Sequence, residues 1–224
     1  MTIKLPTVPL PAEDVDPAVL LLYGAPKVGK TEILKSLPGT LIIDTEKGAK
    51  RIEALKVEIN DRTDLKDTIN ALKTSKKKYD FIALDTIDNI VMWIEDHVCE
   101  IRGVQQVGDI EYGGGYNLVR TMTLAVIKEF KKLTDHLIII GHLKKSFIGA
   151  EQSEVAVQGL DLTGKLKNII MADADSVGLI YREGNDLMVS FITDEHLESG
   201  SRDEHLAGKE FKFDWKKIYP NKLK

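Results

Sequence analysis

The stretch Gly24-Ala25-Pro26-Lys27-Val28-Gly29-Lys30-Thr31 satisfies the spacing G-x-x-x-x-G-K-[ST] at every fixed position. Glycines at that spacing let a backbone turn its N–H groups inward on a polyphosphate, at the positive end of a following helix. Lys30 then reaches toward the β- and γ-phosphates, and Thr31 offers its hydroxyl to Mg2+. The expected nucleotide-binding set is Gly24, Ala25, Pro26, Lys27, Val28, Gly29, Lys30, Thr31 and Glu32, with Lys30 also acting in catalysis. A Gly/Lys-rich turn can match by chance, so the flanks decide. Ala18-Val19-Leu20-Leu21-Leu22-Tyr23 is an apolar run of strand length before the loop. After it, Ile33, Leu34 and Leu37 share one helical face that stops at Pro38-Gly39. Strand, glycine loop and helix follow in the order a phosphate-binding loop needs.

Two further carboxylates stand where such chemistry wants them. Asp85 ends the apolar strand Phe81-Ile82-Ala83-Leu84 and suits the Walker B role of holding Mg2+, although an aspartate at a strand end also caps helices. Activating a water needs a second carboxylate as base or positioner. No acid immediately follows Asp85, and Asp88 is the next. The candidate is therefore Glu46, just past the strand Thr40-Leu41-Ile42-Ile43-Asp44; Asp44 is the rival, with a structural role as its alternative. A fourth apolar run, His136-Leu137-Ile138-Ile139-Ile140-Gly141, ends at His142.

These residues need a scaffold, and the chain supplies one. With 224 residues and 43% hydrophobic content it can bury a core, while 29% charged residues keep its surface wet. The formal charge of −4 argues against a grip on nucleic acid through overall charge but leaves room for a local basic stripe. A single cysteine, Cys99, excludes a disulfide framework. No apolar run reaches membrane-spanning length and no signal-peptide order opens the chain, so no membrane partner and a cytoplasmic location are expected. Residues 1–17, with four prolines, are expected to be an extended lead-in, 18–208 the core, and 209–224 a basic C-terminal tail. Strands alternate with helices near 63–72, 87–101 and 116–133, which implies a mostly parallel sheet with helices on both faces. Residues 143–163 are expected to be a long polar loop, and 176–193 an antiparallel C-terminal hairpin.

The order of phosphate loop, carboxylate after the second strand, Walker B strand and polar end to the fourth strand resembles the RecA-like branch of P-loop ATPases. More narrowly, Asp44-Thr45-Glu46, Tyr112-Gly113-Gly114-Gly115-Tyr116, Gly141-His142 and Ala174-Asp175-Ser176-Val177-Gly178 resemble the phage RecA-like ATPases that include the Sak-type single-strand annealing proteins. Gly200-Ser201-Arg202 and Trp215 add to that likeness. The resemblance implies an α/β RecA-like P-loop NTPase fold and an ATPase that takes ATP and Mg2+ and is stimulated by single-stranded DNA. It implies Thr31 and Asp85 at the metal, Glu46 as base, and His142 as the sensor of the γ-phosphate in place of the usual glutamine. It further implies assembly into a ring or filament, action on single-stranded DNA in recombination or annealing, a single-strand DNA-binding protein as a partner, and host cytoplasm if the chain is phage-encoded. The RecA oligomerisation and DNA-gathering additions have no room here at full size, which puts complete strand exchange in doubt.

DNA contacts are expected from Lys144 and Lys145 beyond the sensor, from Lys165 and Lys167, and from the loop 103–115, where Tyr112 and Tyr116 offer faces to bases. Lys144, Lys145 and Arg182 are the candidates for a basic residue contributed by a neighbouring subunit. Two other readings stand beside this one. A small-molecule kinase usually carries an arginine-bearing lid, and no arginine follows His142 before Arg182. A nucleotide-gated module, such as a helicase loader, needs little or no turnover.

Overall fold

The computed structural model describes residues 7–8, 15–148 and 155–224. The reading of residues 1–17 as a lead-in therefore falls mostly outside the described residues. The chain runs β1 (Val19–Gly24), α1 (Lys30–Lys35), β2 (Thr40–Asp44), β3 (Leu55–Glu58), α2 (Arg62–Thr74), β4 (Phe81–Asp85), α3 (Ile87–Arg102) and α4 (Gly114–Lys131). It continues through β5 (His136–Ile148), β6 (Val155–Leu160), α5 (Gly164–Asp173), β7 (Ser176–Glu183), β8 (Asp186–Ser190), β9 (Gly200–Ser201), β10 (Glu210–Lys212) and α6 (Trp215–Ile218).

One sheet runs through the molecule in the order β10-β8-β7-β1-β5-β4-β2-β3. The six strands from β7 to β3 are parallel, and β8 and β10 extend the β7 edge antiparallel. The mixed α/β architecture expected from the alternation of strands and helices is present.

Its two cores follow from the alternation of side chains along each buried strand. Leu21, Tyr23, Ile43, Leu84 and Ile139 face α2, α3 and α4 through residues such as Ile69, Ile90, Ile94 and Phe130. Leu20, Leu22, Ile42, Phe81 and Ile140 face the other way, onto Ile33, Leu34, Leu37, Phe191 and Trp215. Strands buried on both sides read as continuous apolar runs because neither face meets water. No helix among the described residues is long and apolar enough to cross a membrane.

Two segments differ from their sequence reading. Residues 143–163 are not a loop: β5 continues to Ile148 and pairs antiparallel with β6, from Leu143↔Leu160 to Ile148↔Val155. The strand crosses from the central sheet into a two-stranded arm at residue 142, and pairing on one edge alone leaves its sequence only weakly patterned. Residues 149–154 between the two strands lie outside the described residues. The second segment is 209–224, read as a basic tail. It carries β10 and α6, and its Trp215, Ile218 and Tyr219 are buried. Its lysines suggest a solvated end, while its aromatics decide the packing.

Candidate active site

Within the central sheet β1, β5, β4 and β2 end side by side, with β5 leaving there for its arm, because the parallel register aligns Gly24 with His142 and Asp44 with Asp85. The candidate residues of the site project from these four carboxyl-terminal ends and from the loops that follow, the usual place for ligands in an open parallel sheet. The loop after β1 needs its glycines. A Cβ on Gly24 would lie 2.5 Å from the Ile180 carbonyl oxygen of β7, and Gly29 sits at φ +121°. From there the chain enters α1, where the Ile33 N–H bonds Gly29 O at 3.1 Å.

Lys30 is buried, and its Nζ donates to Gly24 O at 2.8 Å and Ala25 O at 2.9 Å. Burial lowers its pKa, against the raising effect of Asp85, Glu46 and Asp88 nearby. The Thr31 hydroxyl donates to Asp85 Oδ2 at 2.7 Å. Asp85 is 2% exposed, and burial pushes its carboxyl up to about 6, opposed by that hydrogen bond. A hydroxyl and a carboxylate in contact, beside a buried lysine held only by carbonyl oxygens, suit a hard oxygen-seeking cation and a polyanion. The residues present therefore fit a nucleotide with Mg2+.

Asp44 is occupied structurally. Its carboxylate accepts from the N–H groups of Glu46 (3.1 Å), Gly48 (3.1 Å) and Ala49 (2.8 Å), which fixes the turn that presents Glu46. Thr45 braces the same turn to β4: its N–H bonds Asp85 O at 2.8 Å, and its hydroxyl accepts from Thr86 N at 2.8 Å and Asn89 Nδ2 at 3.1 Å. Glu46 Oε1 accepts from the Thr86 hydroxyl at 3.4 Å and lies 3.6 Å from His142 Nε2.

His142 is in turn gripped by Asp88, which accepts from its backbone N–H at 3.2 Å and faces its Nδ1 at 3.1 Å. The hydrogen bond from Asp88 raises the pKa of His142. With both carboxylate oxygens engaged on His142, Asp88 is a support for that residue and not a free base. Sequence reading left this grip unseen, although Asp88 in the first turn of a helix after a Walker B strand was its available signal.

This site sits within a chain whose residues 16–210 match the AAA domain family. The chain belongs to the AAA domain family. The family falls in the P-loop NTPase class, whose members in general bind and hydrolyse nucleotides. This AAA domain is also 28% identical over 134 residues to the SPbeta prophage-derived uncharacterized protein YorG of Bacillus subtilis (strain 168). That match covers 57% of the chain and 41% of YorG, so the chain spans less than half the length of this relative.

The remaining expected residues of the AAA domain fall elsewhere. The Glu32 carboxylate faces Lys35 at 3.4 Å on exposed surface and lends the site no unpaired charge. Arg182, considered as a neighbour's contribution, lies on its own chain's loop: Nε donates to Val28 O at 3.1 Å and one terminal nitrogen to Asn185 O at 2.9 Å. β7 runs beside β1 with Gly24 opposite Ile180, so residue 182 falls alongside the loop in cis. Lys144 pairs with Asp161 at 3.1 Å, and Lys167 donates to both oxygens of Glu198 at 2.6 and 2.8 Å. Lys145 is exposed on the arm. Tyr112 and Tyr116 are exposed and line an open groove of about 610 Å³ with Glu95, Arg120 and Lys165.

Proposed function

We propose that the chain is an ATP-hydrolysing RecA-like protein that acts on single-stranded DNA in phage recombination or annealing. The observation that carries the reading is the meeting of Glu46 and His142 opposite Lys30 and the Thr31–Asp85 pair, on four adjacent strand ends. The prophage origin of YorG supports the phage setting. The groove with two exposed tyrosines and two basic residues supports the single-strand reading, since bases stack on aromatic faces beside cations.

In this reading Lys30 exchanges its loop carbonyls for the β- and γ-phosphates. Thr31 and Asp85 would hold Mg2+, which when bound neutralises charge on the phosphates. Glu46 takes the proton of the attacking water, whose oxygen bonds the γ-phosphorus as the bond to ADP breaks. His142 contacts the γ-phosphate at the point where β5 leaves the sheet for its arm. The ATPase core includes residues 209–224, whose Trp215, Ile218 and Tyr219 are part of its packing. The active form is a ring or filament with ATP between subunits, working alongside a single-strand DNA-binding protein.

The test is ATP hydrolysis with and without single-stranded DNA. Stimulation by DNA is expected. Turnover indifferent to DNA, with no DNA binding, would remove the recombination reading and leave the ATPase. Phosphate appearing on an acceptor would point to a kinase, and nucleotide-dependent partner binding without turnover to a gated module.

A further inference from the structure

The Asp88 grip on His142 has a chemical consequence at the other ring nitrogen. On the β4 side, pairing with β5 ends at Asp85↔Ile140, so the backbone N–H of His142 has passed the end of its neighbouring strand. Asp88, in the first turn of α3, supplies the missing acceptor. The same carboxylate faces Nδ1 at 3.1 Å, which orients the ring and makes Nδ1 the donor. Nε2 is then directed at the Glu46 carboxylate, 3.6 Å away. A neutral ring in this pose would turn its Nε2 lone pair on an anion. A proton on Nε2 turns that repulsion into an ion pair.

Three charged groups face the ring: Asp88 from α3, Glu46 from the turn after β2, and Lys30 from α1. Two are anionic and one is cationic, and the nearer anion makes direct contact. Asp161 meets residue 142 only through its backbone N–H, its carboxylate being paired with Lys144.

We propose that Asp88 is a positioning residue that holds His142 as an imidazolium, with Nε2–H shared between Glu46 and the terminal phosphate of the nucleotide. The site would thereby have a cation in cis at the developing γ-phosphate charge, on the strand that continues into the β5–β6 arm. With ADP bound, Nε2–H is left to Glu46 while Nδ1 stays on Asp88. The proposal rests on the ATPase reading for its catalytic half and on the geometry alone for the charge on the ring.

The direction of the pH effect follows. A histidine stabilised by a carboxylate keeps its proton to higher pH and loses it as pH rises through the raised value. Asp88→Asn keeps the shape, and its side-chain oxygen can still accept from His142 N–H, but the charge is gone. The imidazole titration of the nucleotide-free chain, read by nitrogen NMR with His142→Gln to assign the signal, should move to lower pH in Asp88→Asn. In parallel, the alkaline limb of kcat should move to lower pH and kcat at pH 8 should fall about 10-fold or more, a smaller loss than the roughly 10²–10⁴-fold of removing a general acid or base. An unmoved His142 titration overturns the proposal. So does a fall in kcat with its alkaline limb in place, which is what a merely structural role would give. A parent without turnover would remove the ATPase reading, and the NMR titration would then decide the charge on the ring by itself.

Discussion

Lys30 spends two of its three N–H donors close to home, on the carbonyls of Gly24 and Ala25. A buried ammonium held only by neutral oxygens gains from a nearby polyanion, and nothing else in the loop carries that charge inward. Lys30→Ala should therefore remove the thermal stabilisation that ATP–Mg2+ gives the parent. A mutant stabilised as strongly as the parent would overturn the assignment of the loop. Glu46 tests the chemistry separately from the binding. Glu46→Gln retains the acceptor for Thr86 but cannot take a proton, so ATP binding should persist while turnover falls about 10²–10⁴-fold. Unchanged turnover would move the base elsewhere; Asp44 and Asp88 are poor heirs, since backbone N–H groups and His142 already occupy them.

Among the elements, the helix that carries Lys30 and Thr31 is only six residues long and leans on its neighbours. Trp215 supplies one such support: its indole N–H donates to Ile33 O at 2.7 Å, and its ring stacks against Tyr219. Trp215→Ala should cost about 3–5 kcal/mol by denaturant unfolding, the range for deleting a buried aromatic. Nucleotide affinity should fall with it, because α1 loses its backing. Tyr219 is the control. Its ring packs on Phe81 and His136, but its buried hydroxyl has no hydrogen-bond partner among the described residues. Tyr219→Phe should hold or raise stability, since an unsatisfied buried hydroxyl costs about 1–3 kcal/mol. These same elements show what a sequence reveals and what it hides. β1, β2, β4 and the first part of β5 were legible because strands buried on both faces must be apolar throughout. The β7–β8 hairpin was legible from its turn residues, but the β6 arm, β10 and α6 were not, since their pairing is set by contacts far along the chain. Leu143↔Leu160 and Trp215 with Ile33 are such contacts. In the site, the loop motif and Asp85 were legible from fixed spacing, while the Asp88–His142 contact joins residues 54 apart, and the place of Asp88 in the first turn of α3 does not name its partner.

At the scale of the whole molecule, the open question is how a chain of charge −4 would hold single-stranded DNA. The total field is unfavourable, so any affinity must be local. Several lysines are already committed: Lys144 to Asp161, Lys167 to Glu198, Lys131 to Asp173 and Lys222 to Asp80. The groove of Tyr112 and Tyr116 has Arg120 and Lys165 as its cations, with Glu95 against them. Stacking should then carry more of the binding than charge. Tyr116→Ala should weaken binding of a labelled oligonucleotide by about 1–3 kcal/mol, the range for one stacked base, and Tyr112→Ala by a similar amount. Lys144→Ala should change it little. With two phosphates neutralised per subunit, the logarithmic salt slope should be shallow, about −1.4 for each subunit engaged, from roughly −0.7 per phosphate on a single strand. The β5–β6 arm lies between the site and the groove in the chain: it begins just after His142, and β6 ends at Leu160, shortly before the groove's Thr163 and Gly164. Binding should accordingly be tighter with ATP than with ADP, and His142→Ala should erase the difference while nucleotide still binds. Fluorescence anisotropy at two salt concentrations and in both nucleotide states reads all of these together. A slope several times steeper, with the tyrosine variants unaffected, would move the DNA path away from this groove and onto an exposed basic surface such as Lys145.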